Sequence, residues 1–319
     1  MNRLIQSPAT KRCLIWGGGT EYDWCIRGIQ YEEVKGHIQI VGIVGDNLSL
    51  YESVDSYQVL PKSELSRYKI DYVIITTMKY FDEIAELAMS EFGFDRSQII
   101  PGRVFNIPGF DFQDYIHMLV SRPTLLCNYC FGGMAYHYLS MQMMSPLIDL
   151  RILPEDYMKI ISSPYEYLNY SLTFQGIGVH KEQKYEYPIV SLGDANLHFI
   201  HSPSKEEYEI AKADFERRRE RINWDNLIIV MIFRDEQDIA LYGEAFEKLE
   251  FAHKIGFAPI ETEYSSIICL KGYQPDPTKV GMFQFPQYVN RIVTENFIGI
   301  RPFDIIKLMN GNDDFMRVK

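Results

Sequence analysis

KRCLIWGGGTEYDWCIRGI, residues 11–29, decides how the first third of the chain folds. Its first half is a short apolar run that stops at Gly17, Gly18 and Gly19. Its second half has no proline and carries apolar residues at helical spacing, so a helix is expected over about 20–35. A strand that passes through glycines straight into a helix is the geometry in which backbone N–H groups and the helix dipole receive a phosphate.

Outward from this stretch the alternation continues. IQIVGIVG (38–45) is a second apolar run and leads to Asp46 and Asn47. DYVIITT (71–77) is a third, followed by a helical span, KYFDEIAELAMSEFG (79–93), and a short SQIIPG segment (97–102). Continuous β-branched runs separated by helices read as parallel β-α-β units. The match to G-x-G-x-x-G is partial: Gly17 and Gly19 fit the first two glycines, but Tyr22 stands where the third would allow close helix–strand packing. Asp46 is placed to hydrogen-bond a ribose hydroxyl, or simply opens an Asp-Asn turn. Gly17, Gly19 and Asp46 are therefore the cofactor-side candidates of a nucleotide-binding-type domain over 1–108, with no particular cofactor indicated.

Pro108-Gly109 breaks the pattern, and a helical span, DFQDYIHMLVS (111–121), bridges to Pro123. Strands are then expected at TLLCN (124–128), IDLRI (148–152), YPIVSL (187–192), NLHFIH (196–201), NLIIVMIF (226–233) and SSIICLKG (265–272). Helices are expected at about 132–144, 154–163, 204–222 and 235–251. The fold class is α/β: two Rossmann-like three-layer domains in tandem, 1–108 and 109–319, with short connections in the second that permit a mixed sheet.

The bulk numbers narrow the function classes. Net charge is −11 over 319 residues, which disfavours nucleic-acid partners because those require phosphate neutralisation. No apolar run approaches the roughly 20 residues of a membrane helix, and the N-terminus lacks a signal-peptide core, so a cytoplasmic location is expected. Five scattered cysteines suggest reduced thiols, and neither a second C-x-x-C pair nor an H-E-x-x-H spacing is present to suggest a metal.

Chemistry concentrates in the second domain. Gly132 and Gly133 follow a buried strand and open a helix, either as an anion site or as a tight turn. Cys130 precedes that helix, a position that can lower a thiol's pKa, but the sequence assigns it no base. Asp149 lies among apolar neighbours and needs a partner or a task. Asp156, beside Pro154 and Glu155, suits a first helical turn, and Asp194 follows Gly193 in a turn. His201 stands at a strand end, where a site at the mouth of a sheet would place it. Arg218 and Arg221 share a helix face and could clamp a phosphate, or lie on a solvated face paired with Glu216 and Glu220.

These segments resemble a bacterial family known as domain of unknown function 1919. The residues that carry the resemblance are Cys130-x-Gly132-Gly133 with Tyr136, Ser145-Pro146, Glu155-Asp156-Tyr157 with Tyr165 to Leu168, His201-Ser202, and Phe215-x-x-Arg218-x-x-Arg221-Ile222-Asn223. Phe131 and Phe215 stand where the family usually has Trp, and Ser202 where Tyr is common. The N-terminal third, with IVGIVGDN, YQVLPKSEL and DYVIITT, resembles a small Rossmann module found ahead of transferase-type domains in surface-glycan enzymes. The resemblance implies a link to exopolysaccharide biosynthesis and an expectation of a transferase acting on a sugar-nucleotide or phosphorylated sugar. In that picture Gly132, Gly133, Tyr136, Arg218 and Arg221 hold the ligand, and one of Asp149, Asp156, Asp194 or His201 is the base. The rival reading is a non-catalytic protein that senses a nucleotide or sugar-nucleotide and binds a partner.

Overall fold

A computed structural model describes residues 9–180, 184–276, 284–298 and 301–316. The chain divides into two compact units, Met1–Val120 and Ser121–Lys319.

In the first unit, strand β1 (Lys11–Trp16) leads through the glycines into helix α1 (Thr20–Val34), followed by β2 (Ile38–Val44), β3 (Tyr72–Ile75), α2 (Phe81–Phe92), β4 (Ile99–Pro101) and α3 (Phe112–Ser121). The four strands form one parallel sheet in the order β2-β1-β3-β4. The chain moves from β1 to β2 in one direction and from β3 to β4 in the other. Right-handed crossovers then place α1 and α2 on opposite faces. Side-chain alternation agrees: Leu14, Trp16, Val73 and Ile75 pack with Phe81, Ala85 and Ala88 of α2, while Cys13, Ile15 and Ile74 point the other way.

The second unit also rests on a parallel sheet. Its strands are β5 (Thr124–Cys127), β9 (Leu227–Ile232), β10 (His253–Ala258) and β11 (Ile267–Cys269), in the order β11-β10-β9-β5. Between β5 and β9 come α4 (Phe131–Tyr138), α5 (Pro154–Ser162), α6 (Pro164–Asn169), an antiparallel sheet of β6 (Leu172–Val179), β7 (Glu186–Leu192) and β8 (Ala195–His198), and α7 (Lys205–Arg219). Helix α8 (Glu236–Glu247) joins β9 to β10, and α9 (Gln284–Glu295) and α10 (Ile305–Met309) follow. The parallel sheet has helices on both faces. Phe246 of α8 packs edge-on against Phe233 at 5.6 Å, and Phe131 of α4 lies 5.6 Å from Phe257 of β10 on the opposite face.

Antiparallel pairing is thus kept out of the four-stranded sheet, which stays wholly parallel. Two strands, β6 and β10, arise at stretches where no strand was expected. Conversely, the expected strand at 148–152 is a turn followed by a single bridge from Arg151 to His198. Helix α4 ends at Tyr138 instead of about 144, and its buried residues are Phe131, Gly132, Gly133, Ala135 and Tyr136, whereas Met134 and Tyr138 are only half-buried. Among the described residues no helix is long and apolar enough to cross a membrane.

Candidate functional site

The carboxyl end of β5 organises the site. Asn128 is fully buried; its side-chain amide donates to Ile232 O at 3.1 Å, and its Oδ1 accepts from Ile232 N at 2.9 Å. Its main-chain carbonyl accepts from Ile152 N at 3.0 Å. Two residues on, Cys130 caps α4. The segment 148–152 is therefore held on one side by Asn128 and on the other by paired backbone bonds between Arg151 and His198, of 3.0 and 2.9 Å. Asp149 sits in that segment at φ 61°, a left-handed conformation that Asp tolerates better than most residues.

Gly132 and Gly133 have packing reasons to lack side chains. A Cβ on Gly132 would lie 2.8 Å from Leu125 Cδ2, and one on Gly133 would lie 3.1 Å from Ile148 Cγ2 and 3.5 Å from Asp149 Oδ1. The close approach at Gly133 brings Asp149 up to the start of α4.

A cavity of about 230 Å³ opens beside this segment, lined by Asp149, His201, Arg218, Glu207, Asp214 and an apolar floor that includes Phe199 and Phe215. His201 Nε2 stands 3.6 Å from Cys130 Sγ. Burial, with the Asp149 charge adding, pushes the Cys130 thiol up to about 11. The thiol is therefore protonated at neutral pH, contrary to the depressed value expected at a helix N-terminus. Arg218 reaches the cavity from α7, whose start is fixed by a capping box in which Ser204 and Glu207 bond reciprocally. Arg218 pairs with Asp214 at 3.1 Å, and burial lowers its proton affinity against the opposing pull of Asp214 and Asp149.

The remaining candidates lie elsewhere. Arg221 turns to Met143 O at 3.5 Å and does not line the cavity, so the structure shows one guanidinium there and not a pair. Arg217 and Arg218 both pair with Asp214, and Arg219 with Glu216. Tyr136 is fully buried: its hydroxyl donates to Pro123 O at 2.9 Å and accepts from Leu125 N at 2.8 Å, which is a structural pin. Asp156 and Asp194 share Lys159, at 3.1 and 3.4 Å, and Asp194 also accepts from Tyr167 at 2.7 Å. That cluster ties α5 and α6 to the β7–β8 turn and is not among the groups lining the cavity. Glu207 and Asp214 were not anticipated as site residues. The signals were present in the Ser204-x-x-Glu207 box and in the four-residue step from Asp214 to Arg218.

In the first unit Gly17 adopts φ 113°, and a Cβ there would lie 2.7 Å from Thr76 Oγ1. The strand order reverses between β1 and β3, so their carboxyl ends form the crevice where α/β sheets usually bind ligands. The Glu21 carboxylate already sits at this mouth, accepting from Met78 N at 2.8 Å. Tyr22 is buried, with its hydroxyl on Asp55 at 3.0 Å, and Asp46 is exposed and paired with Lys62 at 2.8 Å. Glu32, His37 and Asp111 lie close enough together to share a metal, but the Lys35 ammonium already bonds Glu32 at 2.9 Å and Asp111 at 2.7 Å.

Fold and cavity together define a two-unit parallel α/β protein whose polar cleft lies at a strand-to-helix junction of the second unit. Residues 102–309 match the model of domain of unknown function 1919, and the chain belongs to that family. Residues 9–100 match the model described as C2185-like, N-terminal. The chain is also similar to an uncharacterized protein of Haemophilus influenzae, 28% identical over 186 residues, which are 57% of this chain and 84% of that protein.

Proposed function

We propose that the second unit is a group transferase acting on a phosphorylated or nucleotide-activated sugar, in the assembly of a bacterial surface glycan. One observation carries this reading: Asp149, His201 and Arg218, 69 residues apart in sequence at the extremes, line a single cavity. Arg218 supplies one cationic hydrogen-bonding fork for an anionic group. His201 is exposed at the rim and Asp149 faces the same space, so an acid–base pair flanks whatever Arg218 holds. Glu207 serves the α7 cap and Asp214 serves the arginines, which leaves Asp149 as the carboxylate for chemistry.

The test is calorimetric titration of the full chain with sugar-nucleotides and hexose phosphates. Arg218→Ala is expected to weaken the binding of whichever compound binds by about 10- to 100-fold, the worth of one charged hydrogen-bonding group. Equal affinity in wild type and variant would sink the proposal.

The second reading, a nucleotide sensor in the first unit, is supported by Gly17 at a strand-order reversal. Glu21 opposes it, because its carboxylate lies where a phosphate would otherwise meet the β3 terminus.

A further inference from the structure

One reactive group, Cys130, stands 3.6 Å from His201 of the cavity and has no role in the proposed transfer. We propose that Cys130 is its nucleophile and His201 its base, and that the group transferred is an acyl group, passed from an activated ester or thioester to a sugar hydroxyl. This inference rests on the reading above for its acceptor, and on independent geometry for its chemistry.

The geometry is a thiol and an imidazole at 3.6 Å, contributed by residues 71 apart in the chain. Cys130 is half-buried, whereas Cys13, Cys25 and Cys127 are buried, and burial pushes the Cys127 thiol up to about 12. Cys130 also stands between the end of a parallel strand and the first turn of α4. The positive end of the α4 dipole there favours the negative charge that develops in a tetrahedral intermediate. A protonated thiol needs a base at the moment of attack, and His201 is the side chain in reach. Charge favours an acyl carbon over a phosphorus: the Asp149 carboxylate acts on the Cys130 thiol, which suits a neutral reacting centre better than a dianionic one.

In the first step the sulfur attacks the donor's carbonyl carbon while His201 Nε2 accepts the thiol proton. The S–C bond forms, the bond to the donor's alcohol or thiol breaks, and that leaving group departs with the electron pair and takes the proton from His201. In the second step the sugar hydroxyl attacks the thioester and gives its proton to His201. The new C–O bond forms, the S–C bond breaks, and the sulfur recovers the proton. No oxidant or reductant is required.

The test uses the full chain and p-nitrophenyl acetate. The expected result is a stoichiometric burst of nitrophenolate with the acetyl group located on Cys130 by peptide mass spectrometry. Cys130→Ala should abolish the burst. His201→Gln, at an exposed position where folding is not at stake, should slow acetylation of Cys130 about 100-fold while labelling of Cys269 is unchanged. Acetylation confined to other residues, or of Cys130 at the same rate without His201, would overturn the proposal. The probe carries neither sugar nor phosphate, so its outcome is separate from the Arg218 titration. A burst that hexose phosphates fail to turn over would retain the nucleophile and remove the sugar acceptor.

Discussion

The two parallel sheets are tied at their carboxyl ends by the same kind of device and yet present different mouths. In the first unit the Thr76 hydroxyl, just past β3, donates to Gly17 O at 2.9 Å beside the end of β1. In the second the Asn128 amide, just past β5, pairs with both main-chain groups of Ile232 on β9. The first sheet has the strand-order reversal that normally makes a ligand crevice, and a carboxylate, Glu21, occupies it. The second has no reversal, since β5, β9, β10 and β11 follow one another across the sheet. Its cavity is built by the long excursion between β5 and β9, which lays a tethered turn and a hairpin end against the strand terminus. A favourable topology is therefore neither needed for a polar cleft nor sufficient to keep one open.

Breaking the second tie should have the largest effect. Asn128→Ala strands the buried N–H and C=O of Ile232, and we expect a loss of about 3 kcal/mol, read from the urea midpoint. The same variant should loosen the 148–152 segment and reduce Arg218-dependent ligand binding. In the first unit, Gly17→Ala imposes a side chain on a φ of 113° and on Thr76, and should cost about 2 kcal/mol in the same measurement. Thr76→Val removes one hydroxyl donor and leaves only carbonyls behind, so about 1 kcal/mol is expected. If Thr76→Val proved as costly as Asn128→Ala, the two ties would be equivalent and the contrast would fail.

The smallest effect concerns pH. His198, in the hairpin beside the tethered segment, is held at about 4 by burial and by the neighbouring Arg151 charge, against an ordinary 6.5. Between these values the unfolded chain binds a proton that the folded chain refuses, so stability falls as pH drops from about 6.5 towards 4. The melting temperature of His198→Gln should decline less over that window than that of the wild type; parallel curves would remove His198 as the cause.

Much of the architecture was legible because it is local. The Gly17–Gly19 break, the β-branched runs and the helices α1, α2, α5, α7 and α8 follow from periodicity, caps and prolines, and their bounds agree with expectation to within a few residues. Strand β6 escaped notice because Phe174, Ile177 and Val179 are exposed on it, so no buried face imposes a pattern. Strand β10 is short and begins His-Lys, which reads as polar until Phe257 and Ala258 are seen in the core.

By itself the sequence determined an α/β fold with parallel units in its first third, the glycine positions and the residue types that chemistry requires. It also placed Asp149, His201 and Arg218 among the candidates. Only the tertiary structure decided which of them share a cavity. Asp149 reaches it through a turn clamped by Asn128 and His198, Arg221 and Tyr136 are drawn to other partners, and Cys130 acquires an imidazole. Those outcomes depend on hydrogen bonds between segments tens of residues apart, and local spacing carries no information about which distant backbone groups will meet.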